Sequence, residues 1–195
     1  NSGFDMRSIP GLTSFKVQKL INQICSAADS YLEIGCYLGA TAAGALDGNK
    51  LTAYFVDNWK ENVQPFNAKT ELPENSKELF IKTAKAYKGE NSINIFECDM
   101  FDVDLAEIKV PIDVFLYDAD HDKDVTAKAI EYYSSVFANT CVMLIDDANF
   151  EGVVEGAHEG IANAGLNITY SRLLLNDIED PEEWWNGLYI LVVNK

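Results

Sequence analysis

Two acidic clusters in this 195-residue sequence gather more like charge than a solvated loop needs. The first is Asp118-Ala119-Asp120-His121-Asp122-Lys123-Asp124, directly after the apolar run 114–117. The second is Asp146-Asp147-Ala148-Asn149, directly after the apolar run 141–145. If those runs are neighbouring parallel strands, both clusters reach the same sheet edge. Carboxylates gathered there repel one another unless a cation or protons neutralise them. Carboxylate and amide oxygens suit a hard divalent ion such as Mg²⁺ or Mn²⁺. The alternative is a pair of solvated helix N-caps, favoured by the helix dipole. His121 lies three residues beyond Asp118 and changes charge near neutral pH, which makes it a candidate general base. Its alternative is a loop histidine in acidic surroundings. His158 has no such neighbourhood and reads as structural or solvent-facing.

A second group of residues suits an adenosine-containing ligand. In Tyr31-Leu32-Glu33-Ile34-Gly35-Cys36-Tyr37-Leu38-Gly39-Ala40-Thr41 an apolar strand runs into a glycine turn and a small-residue helix. Gly35 and Gly39 let backbone come close to a ligand. The pattern is not the G-x-G-x-x-G dinucleotide fingerprint, because Tyr37 and Ala40 occupy glycine positions. Asp57 ends the next strand, 22 residues after Gly35, where an acid can accept from both ribose hydroxyls. Asp99, followed by Met100 and Phe101, suits an adenine amino group with flat apolar packing. A plain tight turn, a helix cap and a loop acid are the respective alternatives.

The elements that must position these residues alternate along the chain. Helical spacing predicts helices over 13–28, 40–46, 74–87, 124–137 and 152–164. Apolar runs predict strands over 30–34, 51–56, 93–97, 112–117, 141–145, 168–174 and 188–193. That alternation implies βαβ units and a doubly wound, Rossmann-like α/β fold in one domain, 1–195. Residues 175–186 leave no room for a crossover helix, so the last strand should pair antiparallel with the strand before it. The expected sheet has seven strands, six parallel and one antiparallel. Residues 1–28 read as an N-terminal cap segment and 58–74 as a loop or lid.

Acids outnumber bases 31 to 15, a net charge of −16, which argues against nucleic acid and polybasic membrane binding. No run of about 18 apolar residues spans a bilayer. The first eleven residues lack signal-peptide blocks and an initiator Met, so the chain reads as trimmed or tagged. Cys25, Cys36, Cys98 and Cys141 form no C-x-x-C and read as buried, reduced thiols of a cytoplasmic protein.

With these residues in place, the chain resembles a class I S-adenosylmethionine-dependent methyltransferase. It is similar to the cation-dependent small-molecule O-methyltransferases, among them the catechol, caffeoyl-CoA and antibiotic-sugar types. Leu32-Glu33-Ile34-Gly35-Cys36-Tyr37-Leu38-Gly39 matches that family's E-x-G-x-Y-x-G motif. The resemblance implies S-adenosylmethionine as cofactor, with Gly35, Tyr37 and Gly39 in its binding turn. It also implies Glu33 and Thr41 at the methionine end, Asp57 at the ribose, Asp99 and Met100 around the adenine, and Asp118 in contact with the cofactor. It further implies Asp118, Asp146 and Asp147 as ligands to Mg²⁺ or another divalent cation. Asp147 stands where the family more often has Asn. His121 stands where catechol-type members carry lysine, and some sugar-modifying relatives are similar in using histidine. The implied reaction is methyl transfer to a hydroxyl of a small-molecule acceptor, with the metal activating the oxygen and His121 taking the proton. Residues 4–15 and 59–73 and the pair Trp184-Trp185 are candidates for the acceptor pocket, and a homodimer is possible. The competing readings are a metal-independent methyltransferase, a non-catalytic cofactor- or nucleotide-binding protein, and, less compatible with the glycine pattern, a nicotinamide dehydrogenase.

Overall fold

A computed structural model describes residues 8–60, 75–177, 180 and 182–195. Within them the apolar runs form strands β1 (Ser30–Ile34), β2 (Thr52–Asp57), β3 (Ser92–Glu97), β4 (Ile112–Tyr117), β5 (Phe137–Asp146), β6 (Asn167–Leu174) and β7 (Leu188–Asn194). These make one sheet in the order β3-β2-β1-β4-β5-β7-β6. The helices are α1 (Phe15–Cys25), α2 (Ala40–Leu46), α3 (Ser76–Ala86), α4 (Lys123–Tyr133) and α5 (Glu151–Asn163).

Side-chain alternation along each strand divides the core into two layers. Tyr31, Phe55, Val114, Leu116 and Leu144 pack with Val17 and Ile21 of α1, the alanines of α2, and Phe80 of α3. Leu32, Ile34, Tyr54, Phe115 and Met143 pack with Ile130 and Tyr133 of α4 and Val153 and Ile161 of α5. Each such fully buried side chain contributes about 1.5–3 kcal/mol. Helices therefore cover both faces, and the site must lie at the strand ends.

The parallel pairings β3-β2, β2-β1, β1-β4 and β4-β5 follow the alternation of elements. At the C-terminus the outcome differs in detail from the expected single antiparallel pairing. Strand β7 makes two, one with β6 and one with β5. The reason is burial. Leu188, Leu191 and Val193 are apolar and buried and require an interior position, whereas β6 carries Asn167, Thr169, Ser171 and Arg172 and is exposed along almost its whole length. The edge place therefore goes to the earlier strand.

Two boundaries move. The helix expected over 124–137 ends at Tyr133, a 3₁₀ turn covers Ser134–Val136, and β5 begins at Phe137 rather than 141. Phe137 is drawn into the sheet by its ring contact with Phe115, at 5.1 Å between centroids. The helix expected over 13–28 runs only over Phe15–Cys25, and Ser14 sets its start by accepting from the Val17 N–H at 3.1 Å. Of the expected cap segment, residues 1–7 lie outside the described residues. So does 61–74 of the expected lid.

Helices α4 and α5 lie unusually close. A Cβ on Gly156 would stand 2.4 Å from the Lys123 carbonyl oxygen, and one on Gly160 would stand 2.5 Å from that of Ala127. Among the described residues, no helix is long and apolar enough to cross a membrane.

Candidate active site

The C-terminal ends of β1, β2, β3, β4 and β5 open into a cleft of about 660 Å³. Its floor is the turn between β1 and α2. Gly35 has φ +85°, and a Cβ there would fall 1.7 Å from the Asp118 carbonyl oxygen. Only glycine lets β1 and the segment after β4 approach this closely. The carboxylate of Asp57 ties the turn together. Its Oδ2 accepts from the N–H groups of Cys36 (2.8 Å) and Tyr37 (3.0 Å), and its Oδ1 accepts from that of Trp59 (2.7 Å). Tyr37, at φ +45°, is held further by the Trp59 indole N–H, which donates to its carbonyl at 3.0 Å.

Asp99 and Met100 line the same cleft beyond β3. Asp99 Oδ1 accepts from Phe101 N–H at 2.8 Å, and the Tyr133 hydroxyl donates to the Met100 carbonyl at 2.5 Å. Gly35, Tyr37, Thr41, Asp57, Asp118, His121 and Asp147 complete the set of expected site residues that face the cleft. Three others do not line it: Glu33, Gly39 and Asp146. Gly39 lies against Phe80 and Thr83 of α3. Glu33 is fully buried on the Tyr31 side of the sheet, and its Oε2 accepts from the Tyr31 hydroxyl at 2.7 Å. Its Oε1 lies 2.6 Å from Thr41 Oγ1. Burial pushes the Glu33 carboxyl up to about 8 despite those two hydroxyl partners.

The acidic clusters do meet at the ends of β4 and β5, but they are not arranged as the expected metal triad. Among the described residues, no three His, Cys, Asp or Glu side chains converge as ligands. Desolvation raises the Asp118 carboxyl well above its usual range, and the charges of Asp146 and Asp147 add to this. Asp146 is only 2% exposed and is raised in the same way, by burial first and then by Asp147. Asp147, at φ +55°, turns its carboxylate elsewhere. Its Oδ2 lies 2.7 Å from His121 Nε2, and its Oδ1 accepts from Asn186 Nδ2 at 2.8 Å. Asp147 thus has a partner for each of its oxygens, whereas the buried Asp146 Oδ1 has no hydrogen-bond partner among the described residues. With Asp147 committed to His121 and Asn186, the three acids do not present a joint ligand set to a divalent ion in this arrangement.

His121 is held on two sides. Asp147 binds Nε2, which leaves Nδ1 as the basic atom. The ring of Phe150 stacks on it, with centroids 4.7 Å apart and planes 9° apart. The imidazole pKa is raised, first by the hydrogen bond to Asp147, against the opposing effect of burial.

Sequence reasoning missed Phe150 and Asn186. Phe150 follows the second acidic cluster by one residue and could have been read as its continuation. Asn186 lies 39 residues from Asp147 and carries no local signal. The aromatic residues divide. Trp185 lines the cleft together with Gly11, Leu12 and Thr13. Trp184 instead packs in the core beneath Lys16, whose ammonium lies 4.4 Å from its ring. Trp59 is likewise a packing residue, 5.2 Å from the Phe80 ring. All four cysteines are free, and Cys25, Cys36 and Cys141 are buried.

Comparison with known proteins decides the family. The model of the methyltransferase domain family matches residues 32–148, more than half of the chain. The chain belongs to the methyltransferase domain family. No curated protein sequence matches this methyltransferase. Among solved structures it is similar to an O-methyltransferase from Bacillus cereus in complex with SAH, at 14% identity and a TM-score of 0.66 over 96% of this chain and 84% of that one. It is also similar to a candidate SAM-dependent methyltransferase from Streptococcus mutans, at 13% identity and a TM-score of 0.63 over 92% of this chain and 48% of that one. A third is TrmN from Thermus thermophilus, at 14% identity and a TM-score of 0.59 over 97% of this chain and 51% of that one. The chain thus spans about half the length of the last two proteins. At these identities the likeness establishes the class I methyltransferase fold.

Proposed function

We propose that this methyltransferase moves the methyl group of S-adenosylmethionine to a hydroxyl of a small molecule that is neutral or cationic, with His121 as general base. The observation that supports this best is the joining of two half-sites in one cleft. Asp57 and Asp99 stand at the ends of β2 and β3, and the Asn186–Asp147–His121 array stands beyond β4 and β5. When bound, the cofactor supplies a methyl group already activated on a sulfonium. The close approach allowed at Gly35 and the carboxylate of Asp57 fit its ribose, Asp99 with Met100 fits the adenine, and Thr41 with Asp118 fits the methionine end. As the acceptor oxygen takes the methyl, its proton passes to Nδ1 of His121, and Asp147 stabilises the imidazolium that results. Most of the remaining acceleration comes from orienting the two reactants.

The acceptor class follows from charge. Asp57, Asp99, Asp118, Asp120 and Asp147 line the cleft, and no lysine or arginine does so among the described residues. An anionic acceptor would meet repulsion with no compensating partner. For acceptors matched except for one ammonium, hydroxyl or carboxylate substituent, kcat/KM should fall in that order. The spread should shrink at high salt. A preference for the carboxylate member would reject this assignment of acceptor class.

The deciding experiment is calorimetric titration of S-adenosylhomocysteine into the wild type and Asp57→Ala, each with Mg²⁺ and with EDTA. The wild type should bind equally well in both media. Asp57→Ala removes the carboxylate proposed to accept from the ribose hydroxyls, hydrogen bonds worth about 2–4 kcal/mol together, and affinity should drop roughly 30- to 1,000-fold. Turnover should also survive EDTA. Absence of binding to the wild type would sink the methyltransferase reading, and Mg²⁺-dependent turnover would restore the metal to the mechanism.

A further inference from the structure

Glu33 is a carboxyl group at the centre of the molecule that the transfer step does not use. It is 0% exposed and belongs to the floor beneath the cleft rather than to its lining. Its two oxygens meet two hydroxyls, that of Tyr31 at 2.7 Å and that of Thr41 at 2.6 Å. Tyr31 is itself fully buried and is a donor to Glu33. Thr41 differs, because it also lines the cleft. A threonine hydroxyl has one proton and can donate to only one partner at a time. If Glu33 is a carboxylate, Thr41 must spend that proton on it and can offer the cleft only a lone pair. If Glu33 is a carboxylic acid, it donates to Thr41, and the Thr41 proton is released toward the cleft.

We propose that Glu33 is a positioning residue that donates a hydrogen bond to Thr41 Oγ1 and so makes the Thr41 hydroxyl a donor toward a carboxylate bound in the cleft. This rests on the reading of the cleft as a cofactor site, where that carboxylate belongs to the methionine end of the ligand. The surroundings favour the acid form. The groups acting electrostatically with Glu33 are Asp57 from β2, Asp118 and Asp146 from the ends of β4 and β5, Cys25 from α1, Cys36 from the turn and Tyr31 from its own strand. None of these carries a positive charge, and full burial penalises the ionised form. Gln in place of Glu33 would preserve the arrangement, since its carbonyl can accept from Tyr31 while its amide donates to Thr41.

The test is the pH dependence of S-adenosylhomocysteine affinity, followed below and above pH 8, where Glu33 titrates. Wild-type affinity should fall about 10- to 100-fold on the alkaline side, the worth of one hydrogen bond to a charged group. Glu33→Gln should bind as well as the wild type does below pH 8 and should lack that alkaline loss. The ligand's own amino group titrates equally in both proteins, so their difference isolates Glu33. Thr41→Val should bind more weakly at every pH and should also lose the dependence. Methylthioadenosine, which has no carboxylate, should bind the wild type without it. A wild-type curve that runs parallel to that of Glu33→Gln overturns the proposal while leaving the cofactor site standing. No binding of S-adenosylhomocysteine at any pH overturns the cofactor reading and this proposal together.

Discussion

His121→Ala is expected to lower kcat by about 10²- to 10⁴-fold, the usual share of a general base, while leaving affinity for S-adenosylhomocysteine unchanged. The separation follows from the geometry. His121 bonds to Asp147 and stacks on Phe150, and neither residue takes part in the β1–α2 turn that Asp57 holds. The pH profile gives a second reading of the same residue. The imidazole must be neutral to accept a proton, and the bond to Asp147 raises its pKa above the ordinary 6.5. The rate should therefore rise with pH through an inflection above 6.5. Asp147→Asn should move that inflection down, because the negative partner is gone. For stability the sign is opposite. The contact between charged His121 and Asp147 stabilises the fold fully below 6.5 and loses that effect as pH rises through the raised value. The His121 side chain is 48% exposed, so this contribution is small. An unchanged kcat in His121→Ala, measured by methyl transfer at saturating substrates, would remove the residue from the reaction.

Gly35→Ala should do comparable damage by a different route. The residue adopts φ +85°, which costs a side-chain-bearing residue about 1–2 kcal/mol on its own. The larger obstacle is steric, since the added methyl would lie 1.7 Å from the Asp118 carbonyl oxygen. That oxygen belongs to backbone and has no rotamer to escape into. Gly35 N–H also donates to the Val56 carbonyl at 2.9 Å, and Asp118 N–H donates to that of Ile34 at 2.9 Å, so separating the segments strains the ladder on both sides. We expect a loss of about 4 kcal/mol or more, read by urea unfolding, together with loss of S-adenosylhomocysteine binding. A variant of wild-type stability would mean that the close approach at Gly35 is not required.

The parts of this site that were legible in the sequence are the ones set by local rules. A glycine turn between a strand and a small-residue helix puts its floor at a strand end, and acids just past two further strands fall beside it. The position of β7 between β5 and β6 was also readable in principle, because Leu188, Leu191 and Val193 need cover on a scale that Asn167, Thr169 and Ser171 do not. Glu33 was legible only in part, because its motif points to the ligand while period-two alternation places it on the buried Tyr31 side, in contact with Thr41 of the cleft. The expected metal triad does not assemble among the described residues, for a subtler reason. Residue order reveals that carboxylates are dense, but not what neutralises them. Here a distant amide, Asn186, and a histidine ring supply the hydrogen bonds, and only the folded chain brings them to Asp147.

The narrow gap between α4 and α5 bears on how little the enzyme must rearrange before it reacts. His121 lies two residues before α4 and Asp147 four residues before α5, so the separation of the two groups depends on how near the helix axes can come. Three missing side chains set that distance. They are those of Gly152, Gly156 and Gly160, whose hypothetical Cβ atoms would stand 3.2, 2.4 and 2.5 Å from the carbonyl oxygens of His121, Lys123 and Ala127. The proposed base and its partner are thus spaced by backbone against backbone, which has few soft degrees of freedom to freeze when a ligand arrives. Another part of the cleft wall has a different origin, since Trp185 and Asn186 come from the β6–β7 connection. On the proposed reading, substrate range can drift through that connection while the His121–Asp147 geometry stays where the helices put it.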